Sequence, residues 1–117
     1  MRWMEVQSRF DYWLHFLGIP FDAIKLFKPK EFNSKFRPRL CKKDWGRCNY
    51  EGKAITLAPA RMSKRNLDVT LLHEICHLIY PAIVNDTWID NRAETIAGYE
   101  REKVIAATRR HAKRLAL

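Results

Sequence analysis

Three residues have the types and the spacing to do chemistry together. They are His73, Glu74 and His77, in the segment Thr70-Leu71-Leu72-His73-Glu74-Ile75-Cys76-His77-Leu78-Ile79-Tyr80. On a helix, residues four apart stand one above the other. Two imidazoles so placed can share one metal ion, and the carboxylate beside the first can reach a water on that ion. The pattern is that of metal-assisted hydrolysis, in which the cation acidifies a water and the carboxylate takes its proton. The chain has only 4 histidines, and two of them fall here at ligand spacing. A chance match in so short a chain is on the order of a few in a thousand.

A catalytic zinc generally takes three protein ligands and one water. The downstream donors are Asp86, Asp90, Glu94, Glu100 and His111. Glu94 is the expected third ligand. A return through a loop over residues 81–89 into a helix starting near Asn91 would bring it back beside the metal helix. Glu94 also falls three residues after Asn91, where it would close a variant of the capping box. His111 is the runner-up, several turns further along. Two histidines and a glutamate resemble the gluzincin arrangement. The metzincin pattern would need glycine at position 80 and histidine at position 83, where this chain has Tyr80 and Ile83.

The elements that must position these residues follow from periodicity. Trp3, Val6, Phe10, Trp13, Leu14 and Leu17 recur at helical spacing, and Gly18-Ile19-Pro20 ends that run. Residues 21–36 read as a short helical or irregular passage rich in phenylalanine and lysine. Asn49-Tyr50-Glu51-Gly52-Lys53 is a turn signal, and Ala54-Ile55-Thr56-Leu57-Ala58 a strand. Pro59 suits an edge strand, whose free side could pair with an extended substrate. The metal helix is expected to start at an Asn66 cap with Asp68 in its first turn, to bury Leu71, Ile75, Leu78 and Ile79, and to stop at Pro81. A last helix is expected from Asn91 to about Leu115, with Ala93, Ala97, Val104, Ala107 and Leu115 inward.

The chain has 117 residues, a single domain's length, and 47% of them are hydrophobic, which excludes a disordered chain. No apolar run is long enough to cross a bilayer. Glu5, Arg9 and Asp11 interrupt the N-terminal apolar residues, so no signal peptide is expected and the location is expected to be cytoplasmic. Cys41, Cys48 and Cys76 make no disulfide framework and fit a reducing compartment. The net charge of +9 is unevenly spread. Segments 24–65 and 101–117 are strongly basic, while 66–100, which holds the histidine motif, is acidic. Acidic character suits a dication site, and the basic flanks suit a polyanion such as nucleic acid.

The segment Gly46-Arg47-Cys48-Asn49-Tyr50-Glu51-Gly52-Lys53-Ala54-Ile55-Thr56-Leu57, followed by the Thr70–His77 motif, resembles the SprT-like metallopeptidase family. Phe32-Asn33 and Phe36 upstream are similar to that family's Phe-Asn segment, so the resemblance covers residues 32–80. It implies a zinc-dependent, DNA-associated protease acting on proteins bound or crosslinked to DNA. The family's third histidine has no counterpart between residues 78 and 110. With Glu94 in its place the chain is also similar to minimal gluzincins.

The expected protein is therefore a small α+β zincin, one domain over residues 1–117. It has an N-terminal helix, a short β-hairpin or sheet, the metal helix and a C-terminal helix. The expected activity is that of a zinc metallopeptidase, an endopeptidase with Zn²⁺ on His73, His77 and Glu94 and with Glu74 as base. The strand at 54–58 would align a protein or peptide substrate, and Tyr80, Tyr99 and Arg101 are candidates for stabilising the oxyanion. Segments 24–65 and 101–117 would meet nucleic acid. The alternative is a nucleic-acid- or protein-binding module with a structural or vestigial metal site.

Overall fold

The aromatic stripe at the N-terminus becomes the buried face of helix α1 (Trp3–Leu17), with Val6, Phe10, Trp13 and Leu14 in the core. Gly18 ends it at φ 69°, in the left-handed region that glycine adopts without steric cost. The next amide, of Ile19, then reaches back to the Leu14 carbonyl at 2.8 Å. The computed structural model describes residues 1–100.

Strand β1 (Lys25–Leu26) is followed by helix α2 (Pro29–Lys35), which opens on a proline whose missing N–H costs nothing at that position. Its Phe32 is fully buried and touches Phe36, which in turn meets Phe27. The Asn33 side chain accepts the Leu40 amide at 2.7 Å, tying the following loop to α2. Strands β2 (Gly46–Asn49) and β3 (Ala54–Leu57) form the expected hairpin across the Tyr50–Lys53 turn. Lys53 takes a positive φ of 49° there.

The sheet order is β1-β3-β2, with β1 parallel and β2 antiparallel to β3. The strand at 54–57 is therefore central and fully buried, not an edge. Pro59 does not bear on this, because it lies beyond the strand and opens a short 3-10 turn, Pro59–Arg61. The edge beside the histidine motif belongs to β2.

Helix α3 (Lys64–Ile79) packs on the sheet and on α1. It starts at Ser63, one turn before the expected Asn66. Asp68 consequently lies beyond the first turn and does another job. It takes Arg9 Nε at 2.8 Å, Arg9 Nη2 at 3.1 Å and Trp13 Nε1 at 2.9 Å, fastening α1 to α3. Leu67, Leu71, Leu72, Ile75, Cys76 and Leu78 fill the core, while Ile79 is exposed at the helix end.

The last described helix, α4, spans residues 86–100 and begins five residues earlier than expected. Asn85 caps it, its side chain accepting the Trp88 amide at 3.1 Å and its carbonyl the Ile89 amide at 3.2 Å. Ile89, Ala93, Ile96 and Ala97 form its buried stripe. The described residues form a mixed α+β fold with one hydrophobic core between the helices and the sheet. No described helix is long and apolar enough to cross a membrane.

Candidate metal centre

The two histidines project from one face of α3 into a cleft of about 690 Å³. Their Nε2 atoms face each other at 3.0 Å. The early start of α4 places Asp86 and Asp90 opposite them. Asp86 Oδ1 lies 3.1 Å from His77 Nε2 and 3.9 Å from His73 Nε2. One donor atom from each of His73, His77 and Asp86 lies within 4.8 Å of the others, and this group could hold a metal ion. Both imidazoles keep Nε2 for the shared centre because their other nitrogens are engaged. His73 Nδ1 meets Asp90 Oδ1 at 2.6 Å, and His77 Nδ1 meets the Tyr50 hydroxyl at 3.1 Å. A carboxylate behind a ligating imidazole fixes its orientation and raises its basicity.

The donor set fits a borderline metal such as zinc, which binds imidazole nitrogen and carboxylate oxygen in groups of three with one position left open. Burial, and after it the neighbouring His73, pushes the pKa of His77 below its ordinary value. That keeps the ring neutral, the form a metal requires.

Glu74 lies at the foot of the same cleft and is only 6% exposed. Its Oε1 is 3.8 Å from His73 Nε2. Burial pushes its carboxyl up to about 8, against the pull of the Arg47 charge. Strand β2 closes over it. A Cβ at Gly46 would meet Leu57 Cδ2 at 2.8 Å, and Glu74 Cγ and the Thr56 carbonyl oxygen at 3.1 Å, so any larger residue would have to push Leu57 or the Glu74 stem aside. Two residues on, the Cys48 thiol hydrogen-bonds Glu74, and burial lifts that thiol to about 12, so it stays a proton donor.

The outer edge of β2 lines this cleft. The Trp45 carbonyl accepts the Ala58 amide at 2.7 Å, which fixes the phase of the antiparallel ladder. With Arg47 opposite Thr56 and Asn49 opposite Ala54, those two β2 residues bond to β3. Gly46 and Cys48 then turn their N–H and C=O groups outward. A second hollow of about 310 Å³, lined by Lys43, Trp45, Val69 and Thr70, adjoins the first across Gly46, His73 and Glu74.

The structure thus brings His73, Glu74 and His77 together as the spacing predicts. It does not bring Glu94 to them. Glu94 is exposed and lies outside the group formed by His73, His77 and Asp86, because α4 starts early and its first two acids occupy that place. Glu100 instead accepts the Tyr12 hydroxyl at 3.3 Å. Tyr80 packs edge-on against Trp88, and Tyr99 is 59% exposed; neither lines the cleft. Arg101, His111 and the basic segment 101–117 lie outside the described residues. Sequence reasoning missed Tyr50 and Cys48 as neighbours of the motif, although both stand in the Gly-x-Cys-x-Tyr stretch. Cys41 and Cys48 are free thiols and belong to no metal-holding group among the described residues.

No protein of curated function and no solved structure matches the chain. A model of the SprT-like family matches residues 19–99, which runs from the end of α1 through the sheet and α3 to α4. On that match, over well more than half of its length, the chain belongs to the SprT-like family.

Proposed function

We propose that this protein is a zinc-dependent peptidase whose cation is held by His73, His77 and Asp86. The observation that carries the reading is the convergence of two imidazole Nε2 atoms and one carboxylate beside a buried Glu74, in a cleft edged by an outward-facing strand. Zinc bound there would polarise a scissile carbonyl and lower the pKa of a water toward about 7. Glu74 is the general base, taking the proton of the attacking water and passing it to the leaving amine. Cys48 orients that carboxylate, and Asp90 orients His73. The edge groups of Gly46 and Cys48 offer an extended peptide a strand to pair with, the task first assigned to residues 54–58.

The substrate class follows from charge. Arg37 lines one hollow and Lys43 the other, within the basic segment 24–65. Cations lining both hollows suit proteins held on nucleic acid, the substrates that the family resemblance implies.

Metal content of the purified protein tests the reading, measured beside His77→Ala, Asp86→Ala and Glu94→Ala. About one zinc per chain is expected, lost or greatly weakened in the first two variants and kept in the third. Zinc lost in Glu94→Ala and kept in Asp86→Ala would return the third ligand to Glu94. A wild-type protein that takes up no metal would leave the binding-module reading standing.

A further inference from the structure

Two hollows meet at Gly46, His73 and Glu74, and they differ in kind. The larger is lined by His77 and Asp86 and so holds the group that could bind a metal. The smaller, of about 310 Å³, has neither. Trp45, Val69 and Thr70 line it, with Lys43 and Asp44 beside them. Most polar groups on this wall are already engaged. The Thr70 hydroxyl donates to the Asn66 carbonyl at 2.7 Å. Asp44 takes the Arg47 guanidinium at 2.9 Å and the Cys41 amide at 3.1 Å, and Asp90 meets His73 at 2.6 Å. Lys43 is exposed, and a lysine keeps its ammonium in water while its stem covers apolar surface. What remains for a ligand is Trp45, which is 45% exposed and in ring contact with no other aromatic among the described residues, and half-buried Val69.

The strand beside the hollow says which part of a peptide would reach it. In an antiparallel ladder, residues directly opposite each other turn their side chains to the same face. A Cβ at Gly46 would point at Glu74, so a peptide residue opposite Gly46 turns its side chain toward α3, where the smaller hollow lies. An antiparallel peptide passes Cys48 before it reaches Gly46. Cys48, His77 and Asp86 line the larger hollow only, so the residue at Gly46 follows the bond presented to the metal group. From this register, and resting on the peptidase reading above, we infer that the hollow at Trp45 and Val69 is a specificity subsite for an aromatic or long aliphatic side chain. That side chain belongs to the residue whose amine leaves, next to Glu74. An aromatic ring suits it best, since it meets the Trp45 indole on one side and the Lys43 cation on the other. An acidic side chain would enter beside Asp44, Glu74 and Asp90 and is disfavoured by like charge.

The test uses the full chain and four short unstructured peptides, identical except for Phe, Ala, Lys or Asp at one central position. Affinities are measured by fluorescence anisotropy on Glu74→Gln, which separates binding from cleavage. The Phe peptide is expected to bind about 10- to 100-fold more tightly than the other three. Adding Trp45→Ala should bring that ratio close to one. Trp45 lies outside the buried core, and the comparison among peptides on the unchanged subsite stands without the variant. In the wild type, mass spectrometry of the products should show the new fragment beginning with Phe. Equal affinities, a preference for Lys or Asp, no binding of any peptide, or a Phe preference that Trp45→Ala leaves unchanged would overturn the inference. So would fragments that end on Phe. A Trp45-dependent Phe preference without hydrolysis would keep the subsite and strike the peptidase reading. Hydrolysis of all four peptides alike would do the reverse.

Discussion

Helix α3 carries two acidic side chains, Asp68 and Glu74, fewer than two turns apart and under opposite conditions. Asp68 faces α1 and takes three hydrogen bonds, two of them from the Arg9 guanidinium. Its charge is met in full, and its work is to hold two helices together. Glu74 is more deeply buried and meets a thiol in place of a cation at hydrogen-bonding distance. The nearest strong positive charge, Arg47, is spent on Asp44 at 2.9 Å. A carboxylate provided for adds stability; one deprived of its counter-charge keeps a high proton affinity for use elsewhere. The helix therefore separates its structural end from its reactive end by what surrounds each acid.

The sharpest way to break this contrast is Glu74→Gln. A general base contributes about 10²- to 10⁴-fold to a rate. Peptide hydrolysis by the zinc-loaded variant should fall by that much while zinc content stays at the wild-type level. The same substitution should stabilise the metal-free fold at neutral pH, by up to about 3 kcal/mol, since it removes an acid that folding makes hard to ionise. Turnover equal to the wild type would end the role of Glu74 as base.

The pH dependence of stability comes next. The Glu74 carboxyl rises from an ordinary 4.5 to about 8 in the fold. A raised acid favours the folded state while protonated, so its contribution is complete below the unfolded value and is lost as pH climbs through the folded one. Metal-free protein should therefore lose on the order of 4 kcal/mol between roughly pH 4.5 and 8 from this group alone. Zinc should flatten the slope, because a nearby dication favours the ionised carboxylate. Urea titrations of the metal-free wild type and Glu74→Gln across that range check it. Parallel curves would show that Glu74 is not the source.

Much of this division is legible in the sequence, and the rest shows where one-dimensional reading stops. The His73–His77 pair is local, and the helix that carries it has apolar residues at helical spacing, so the face they share could be read directly. The start of α4 could have been read too. Asn85 precedes Asp86, a cap followed by an acid in the first turn, but Asn91 offered the same signal later and drew the boundary to itself. That reading of the boundary made Glu94 the expected third ligand, whereas the early start of α4 places Asp86 beside the two histidines. The central place of β3 was hidden because β1 is only two residues long, too short to show a period, and Pro59 imitates an edge signal. Tyr50 meets His77 across 27 residues of chain, a pairing that only the sheet–helix packing creates.

At the structural end the matching experiment is Asp68→Asn. It removes the charge from three hydrogen bonds in a half-exposed position, and loss of about 1–3 kcal/mol of stability is expected. Metal affinity and turnover per folded molecule should not change. Opposite signs for Asp68→Asn and Glu74→Gln in one metal-free denaturation experiment would be the contrast in its simplest form. Equal signs would mean that the two acids are not divided by their surroundings as described.

The smallest effect expected is that of Asp90→Asn, and it separates holding a ligand from being one. The amide oxygen of asparagine can still accept from His73 Nδ1, so the tautomer survives and only the negative charge behind the ring is lost. Zinc affinity should fall by about tenfold, near 1.4 kcal/mol. Stability of the metal-free protein should scarcely move, because the Asp90 side chain is 57% exposed. Asp86→Ala should weaken zinc binding far more, since it removes a donor from the group itself. If Asp90→Asn costs as much as Asp86→Ala, Asp90 is a ligand and His73 is held by something else. If it costs nothing, the 2.6 Å contact orients a ring that the helix had already oriented.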